Sequence, residues 1–261
     1  MSPNRTGRIC KNMKRYKLII AYDGTNYNGW QMQPNLPTIV GFLQERFYTV
    51  FKTSAQLMGA SRTDAGVHAL GQVAECRTDI DLEPEQLCFA WNNTLSPDIV
   101  IRSLEKAEPS FHPHKNVAYK IYYYHLFKER PLPFVQRYGW FFRSPINFEK
   151  LTQGLNVFVG THDFRSFCTG DARGSDTIRT INSASITYFK RFNLYRIAIQ
   201  GPSFLRYMIR RIVGACLEVA SHPDLSINVL RETLAKKDPH HLLPNAPAKG
   251  LLLYKIVYKK N

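Results

Sequence analysis

No apolar run in these 261 residues approaches the ~20 positions that span a bilayer; Leu18 to Ala21 is only strand length. The opening stretch, Met1 to Asn12, is polar and basic and lacks the apolar core of a secretory signal. It reads as a basic tail (residues 1–13), with Met13 as an alternative start. The five cysteines, Cys10, Cys76, Cys88, Cys168 and Cys216, lie far apart, with no close pair for zinc or redox work. They read as reduced core residues, which places the protein in the cytoplasm. His112-Pro113-His114 and His240-His241 have no cysteine or carboxylate partners at metal-ligand spacing, so no metal is expected, and no cofactor signature is present.

Acidic residues are the other shortage. Residues 1–110 carry 12 basic and 11 acidic groups, whereas residues 111–261 carry 23 and 9, and the whole chain is at +15. From Thr177 through Leu217 there is no acid, while Arg179, Lys190, Arg191, Arg196, Arg206, Arg210 and Arg211 all fall in that stretch. Charge of one sign concentrated on one half predicts a polyanionic partner, most simply nucleic acid. Apolar residues make up 44% of the chain and charged residues 21%, the balance of a globular protein long enough for two ordinary domains.

The first half reads as a unit. Arg15 to Tyr22 alternates as a strand, and a loop from Asp23 to Pro37 carries Tyr27 and Trp30. Thr38 caps a helix burying Ile39, Leu43, Phe47, Val50 and Phe51. Strands at Gln56 to Met58 and Val67 to Cys76 follow, and Pro84 starts a helix with Asp79, Asp81 and Glu83 suited to its positive end. Ile99 to Leu104 completes the β-α-β-β-α-β order of a ferredoxin-like unit. The second half repeats the theme loosely, with strands at Ala118 to Phe127, Asn182 to Phe189, Leu194 to Gln200 and Leu251 to Tyr258. Helices are expected at Phe148 to Val159, from Gly201-Pro202-Ser203 to about Ala220, and at Ile227 to Lys236. The fold class is therefore α+β: two ferredoxin-like, RNA-recognition-like α/β subdomains, 14–110 and 111–261. Their sheets are mostly antiparallel, and a basic cleft lies between them.

Three places carry chemistry. In Ser61-Arg62-Thr63-Asp64-Ala65-Gly66-Val67-His68, Arg62 and Asp64 are two residues apart and share one side of an extended backbone. Arg62 is expected to hold the Asp64 carboxyl down and keep it charged, as befits a nucleophile or base; an ordinary surface turn fits the same residues. No second carboxylate lies nearby to suggest a paired-carboxylate glycosidase. In Tyr119-Lys120-Ile121-Tyr122-Tyr123-Tyr124, alternation puts Tyr122 and Tyr124 on one face, where a tyrosine can stack on a base; core aromatics look the same. Arg206 and Arg210, four apart on the expected helix, disfavour it by roughly 0.2–0.5 kcal/mol, and Gly214 weakens the same stripe. Such a face meets an anion or a closely packed backbone. Arg211 suits a solvated face or an RNA contact.

Together these segments resemble the tRNA pseudouridine synthase A family over nearly the whole chain. The matching stretches are Ala21-Tyr22-Asp23-Gly24-Thr25, Gly29-Trp30-Gln31, Ser61 to Ala69, Lys120 to Tyr124, Gly160-Thr161-His162-Asp163-Phe164, Phe204 to Gly214, and Ala246-Pro247 with Gly250-Leu251. The resemblance implies a homodimer that isomerises uridine to pseudouridine in the anticodon arm of tRNA, at positions 38 to 40. It makes Asp64 the essential carboxylate and nucleophile, and Tyr122 the residue packing on the target base. Arg62 and Arg210 become active-site arginines; the basic stretch itself offers Arg206 and Arg211 as RNA contacts. Ser61 stands where the family usually has glycine. Breaking the C1′–N1 bond and rejoining the base through C5 needs neither metal nor redox step, and a charged carboxylate can attack sugar or base, or take a sugar proton. A non-catalytic RNA-binding module, a hydrolase using the same carboxylate and a synthase acting on other RNA positions are the rival readings.

Overall fold

The computed structural model describes residues 13–169, 176–238 and 244–259. The tail up to Asn12 with Cys10, and the His240-His241 pair, lie outside the described residues. The first half follows the pattern read from its periodicity. Strand β1 (Lys14–Tyr22) buries Tyr16, Leu18 and Ile20. Helix α1 (Ile39–Phe51) starts at Thr38, whose hydroxyl accepts the Gly41 N–H at 3.2 Å, and it buries Ile39, Val40, Leu43 and Phe47. Strands β2 (Gln56–Gly59) and β3 (His68–Thr78), helix α2 (Pro84–Asn92) and strand β4 (Ile99–Lys106) complete it. Of the acids placed at the positive end of α2, Glu83 is the N-cap residue, but its side chain makes no cap hydrogen bond. Asp79 accepts from the Thr53 hydroxyl at 2.7 Å, Asp81 pairs with Lys14 at 2.9 Å and Glu83 pairs with Lys106 at 2.9 Å.

The second half departs further from expectation. It runs β5 (Val117–Phe127), β6 (Trp140–Phe141), α3 (Phe148–Asn156), β7 (Gly160–Asp163), β8 (Ile178–Ile181), β9 (Ser183–Phe189) and β10 (Leu194–Gly201). Helices α4 (Met208–Ser221) and α5 (Asn228–Lys236) and strand β11 (Leu251–Tyr258) follow. The periodicity missed β6, β7 and β8, which are only two to four residues long. It also started α4 too early. Residues 202–207 are not helical, and Tyr207 adopts a left-handed φ of +62° immediately before the helix. Arg206 therefore precedes the helix, and no like-charged pair with Arg210 weakens it.

One nine-stranded sheet holds the molecule together, in the order β4-β1-β3-β11-β5-β10-β9, with β2 on β3 and β6 on β5. The pairings are antiparallel except β3–β11 and β5–β6. Strands β7 and β8 form a separate ribbon. The expected α+β class with a mainly antiparallel sheet is what the structure has. Rather than two separate sheets, though, β11 lies between β3 of the first half and β5 of the second. The core runs from Leu18, Leu43 and Trp91 on one side to Phe158, Ile197 and Ile212 on the other.

Gly214 in α4 shows how closely the elements approach. A Cβ there would sit 2.2 Å from the Pro244 carbonyl oxygen, a backbone atom that cannot swing away. On a free helix face Gly→Ala gains about 1 kcal/mol in propensity. Here overpacking of ~1–3 kcal/mol opposes that gain. With the clash against backbone at the upper end of that range, a net cost of about 2 kcal/mol, Gly214→Ala is expected to lower the thermal unfolding midpoint by about 4–8 °C, read by scanning calorimetry.

Candidate active site

The loop bearing Asp64 is held by its backbone. The Ala60 N–H donates to Val73 O at 2.7 Å, the last ladder bond between this segment and β3. The fully buried side chain of Gln72 then clamps Ser61, donating to its carbonyl at 2.5 Å and accepting its N–H at 3.2 Å. The Thr63 hydroxyl bonds the buried Tyr22 hydroxyl at 2.8 Å, and Thr63 O accepts the Trp30 N–H at 3.1 Å. Gly29, at a φ of +89°, lies so close that a Cβ would meet Thr63 O at 2.6 Å. The long loop from Asp23 to Pro37 is thus the packing partner of the Asp64 loop, with Tyr27 and Trp30 buried beneath it.

Asp64 meets a cation from the far half of the chain. Arg210 Nη1 lies 3.3 Å from Asp64 Oδ2, with the two side chains 12% and 15% exposed. Arg210 Nε donates to Ala246 O at 2.8 Å, which fixes the guanidinium from behind. Among the described residues Arg62 is not the partner of Asp64: it is exposed, and the pairing inferred from its spacing does not form. Arg206 is exposed, with its guanidinium 5.0 Å from the Tyr207 ring centre, and Arg210 sits 5.1 Å from the same ring. Arg211 lies elsewhere, half-buried, its Nη1 donating to Cys168 O at 2.8 Å.

Tyr122 is not on an open strand face. It is buried, its hydroxyl 2.8 Å from Ser61 Oγ and its ring edge-on to Phe204 at 5.4 Å. Beside it, Lys120 is buried and among the described residues has no carboxylate partner, donating from Nζ to Ala60 O at 2.7 Å and to Ser61 Oγ at 3.3 Å. The sequence reading passed over Lys120 and Gln72. The signal was there for both: each is a polar residue on the inward face of a largely apolar strand. Asp64, Arg210, Arg206, Tyr122, Lys120 and Phe204 line one cavity of about 810 Å³, formed where the two halves meet. That volume lies within the ~300–1,000 Å³ of ordinary ligand sites.

A family model described as tRNA pseudouridine synthase matches residues 155–259, the part that carries Arg210. Relatives match nearly end to end. A protein named tRNA pseudouridine synthase A from Thermodesulfovibrio yellowstonii is 35% identical over 256 residues, covering 94% of this chain and 100% of its own. One named tRNA pseudouridine synthase A 1 from Protochlamydia amoebophila is 36% identical, over 95% of this chain and 97% of its own. The chain belongs to the tRNA pseudouridine synthase A family. A third member, from a Geobacillus species, is 37% identical over 94% of this chain and 98% of its own.

In this family member the electrostatics of the carboxylate run opposite to the expectation from Arg62. Burial raises the Asp64 carboxyl above its ordinary range, and the charges of Arg210 and Arg206 pull it down without cancelling that rise. A carboxyl whose folded pKa is raised costs the fold nothing while protonated in both states. It costs stability once pH rises through the folded pKa. Asp64→Asn is therefore expected to unfold at a higher midpoint than wild type at pH 7. The difference should close as pH falls through the carboxylate range, read by thermal melts across pH. A lower midpoint for the variant at pH 7 would show that the ion pair outweighs burial.

Proposed function

We propose that this chain isomerises uridine to pseudouridine in the anticodon arm of tRNA, with Asp64 as the reacting carboxylate. The observation that carries this reading is the ion pair of Asp64 with Arg210, partly buried in a basic cavity that both halves build. The names of the relatives supply the reaction class. The glycosidic C1′–N1 bond breaks, the base turns, a C1′–C5 bond forms, C5 loses its proton and N1 gains one. Nothing is oxidised or reduced.

The residues divide the work by position. Arg210, held by Ala246 O, orients the carboxylate and opposes the effect of burial, so the group that reacts stays ionisable and aimed. Tyr122 and Phe204 form an aromatic wall against which an extruded uracil packs. Arg62 and Arg206, both exposed at the cavity rim, are placed to meet phosphates, and the basic half 111–261 gives a sequence-independent grip. The Arg211 side chain, turned onto Cys168 O, braces α4 instead. The shape of the RNA then selects which uridine arrives. We take the working assembly to be a homodimer in the cytoplasm; light scattering on the purified protein tests the oligomeric state.

Asp64→Ala is expected to bind tRNA within about threefold of wild type. It should release tritium from C5-labelled uridine in tRNA at least ~10⁴-fold more slowly. Wild-type release by this variant would falsify the assignment, and free uracil among the products would make the protein a hydrolase. Replacing the anticodon-arm uridines by cytidine should abolish release, whereas persistent release would move the target elsewhere in the RNA. Raising salt from 50 to 200 mM should weaken binding along a straight line in log–log form, with a slope set by the phosphates met.

A further inference from the structure

The side chains of Lys120, Ser61 and Tyr122 form a chain at one end of the cavity, and donor counting fixes the direction of its first link. A lysine ammonium donates and cannot accept. Lys120 Nζ donates to Ala60 O at 2.7 Å and to Ser61 Oγ at 3.3 Å. The serine hydroxyl has a single proton. Receiving from Lys120 on one of its two lone pairs, it keeps that proton to give; Tyr122 Oη lies 2.8 Å away, either oxygen can donate across that contact, and the chain has one direction when the serine is the donor. The Tyr122 oxygen is then an acceptor on its Ser61 side, and its own proton has to point elsewhere. Among the described residues Ser61 is the hydrogen-bond partner of that oxygen. The open side is the cavity, which Tyr122, Ser61 and Lys120 all line.

We propose that Ser61 is a positioning residue: by relaying the donor direction of Lys120 it holds the Tyr122 hydroxyl with its proton aimed at the bound base. The site is built for fixed geometry. Gln72 grips the Ser61 backbone on both its N–H and its carbonyl, and the serine oxygen itself bonds Lys120 and Tyr122. Burial supports the same polarity, since it brings the Lys120 ammonium down to about 8 and pushes the Tyr122 phenol up to about 12. The lysine is thus charged and the phenol protonated near neutral pH. Uracil presents carbonyl oxygens, which accept from such a donor, whereas the amino group of cytosine does not.

The proposal rests on the isomerase reading, and the test separates the two. Wild type, Ser61→Ala, Ser61→Gly and Ser61→Thr are compared by single-turnover tritium release, by tRNA binding and by thermal unfolding, with rates taken well below every midpoint. Ser61→Ala should slow the chemical step about tenfold with Kd within about twofold, the loss of roughly one directed hydrogen bond. Ser61→Gly should be faster than Ser61→Ala, because the vacated space admits a water that Lys120 and Tyr122 can both bond. Ser61→Thr, which keeps the hydroxyl, should stay within about threefold of wild type. A packing role gives the reverse order, since glycine leaves the larger void. Alanine at or above glycine, or alanine at the wild-type rate, overturns the proposal while leaving the isomerase reading intact. No release by wild type itself sinks that reading first.

Discussion

The placement of β11 between β3 and β5 is the constraint on which the site depends. Its pairing with β3 is short and parallel, Leu252 opposite His68 and Leu253 opposite Ala69, immediately after the Asp64 loop. Its pairing with β5 is long and antiparallel and includes Leu253 opposite Tyr122. One strand from the end of the chain thereby sets the register of the Asp64 loop against the Tyr122 strand. The segment leading into it continues the work. Ala246 exchanges backbone and side-chain hydrogen bonds with Arg210, and Pro247 O accepts the Tyr124 hydroxyl at 2.8 Å. Carboxylate, arginine and tyrosine, distant in sequence, are tied to one short stretch of backbone.

Beneath the carboxylate lies a polar floor in an otherwise apolar core. Gln72, Tyr22, Thr63, Ser61, Lys120 and Tyr122 are all buried, and hydrogen bonds link them to one another or to the loop backbone. Buried polar groups cost ~1–3 kcal/mol each when left unpaired, so such a network tolerates few alternative arrangements. A wholly apolar floor would be easier to bury, but it would let the loop slide. The paired floor gives the loop one position, which a reaction needing a carboxylate at a fixed place requires.

Much of this was legible in the sequence, and the failures have physical causes. Period-two and period-3.6 patterns located β1, α1, β3, β5 and β11, because in each of them one face is buried over many residues. Strands of two to four residues, such as β6 and β7, offer no such pattern. The start of α4 was misplaced because Gly201-Pro202-Ser203 looks like a helix cap, whereas residues 203–207 are used to wall the cavity. Asp64 and Arg210 were both picked out, but their pairing was not. The spacing of Arg62 and Asp64 is local and visible, whereas Asp64 and Arg210, 146 positions apart, are brought together by the sheet.

The left-handed backbone at Tyr207 sits where that failure occurred. A φ of +62° at a bulky residue is held at a cost of about 1–3 kcal/mol, and such residues persist where the surroundings over-determine them. Here the surroundings are functional. Turning the chain at Tyr207 sets the ring between Arg206 and Arg210 and starts α4 at Met208, so that Arg210 falls in its first turn, level with Asp64. Had the helix begun at Ser203, Arg206 and Arg210 would share one face as mutually repelling neighbours. The turn separates them: Arg210 faces the buried carboxylate and Arg206 the open rim. Two arginines four apart in sequence thus have different environments, because one backbone residue accepts an unfavourable conformation between them.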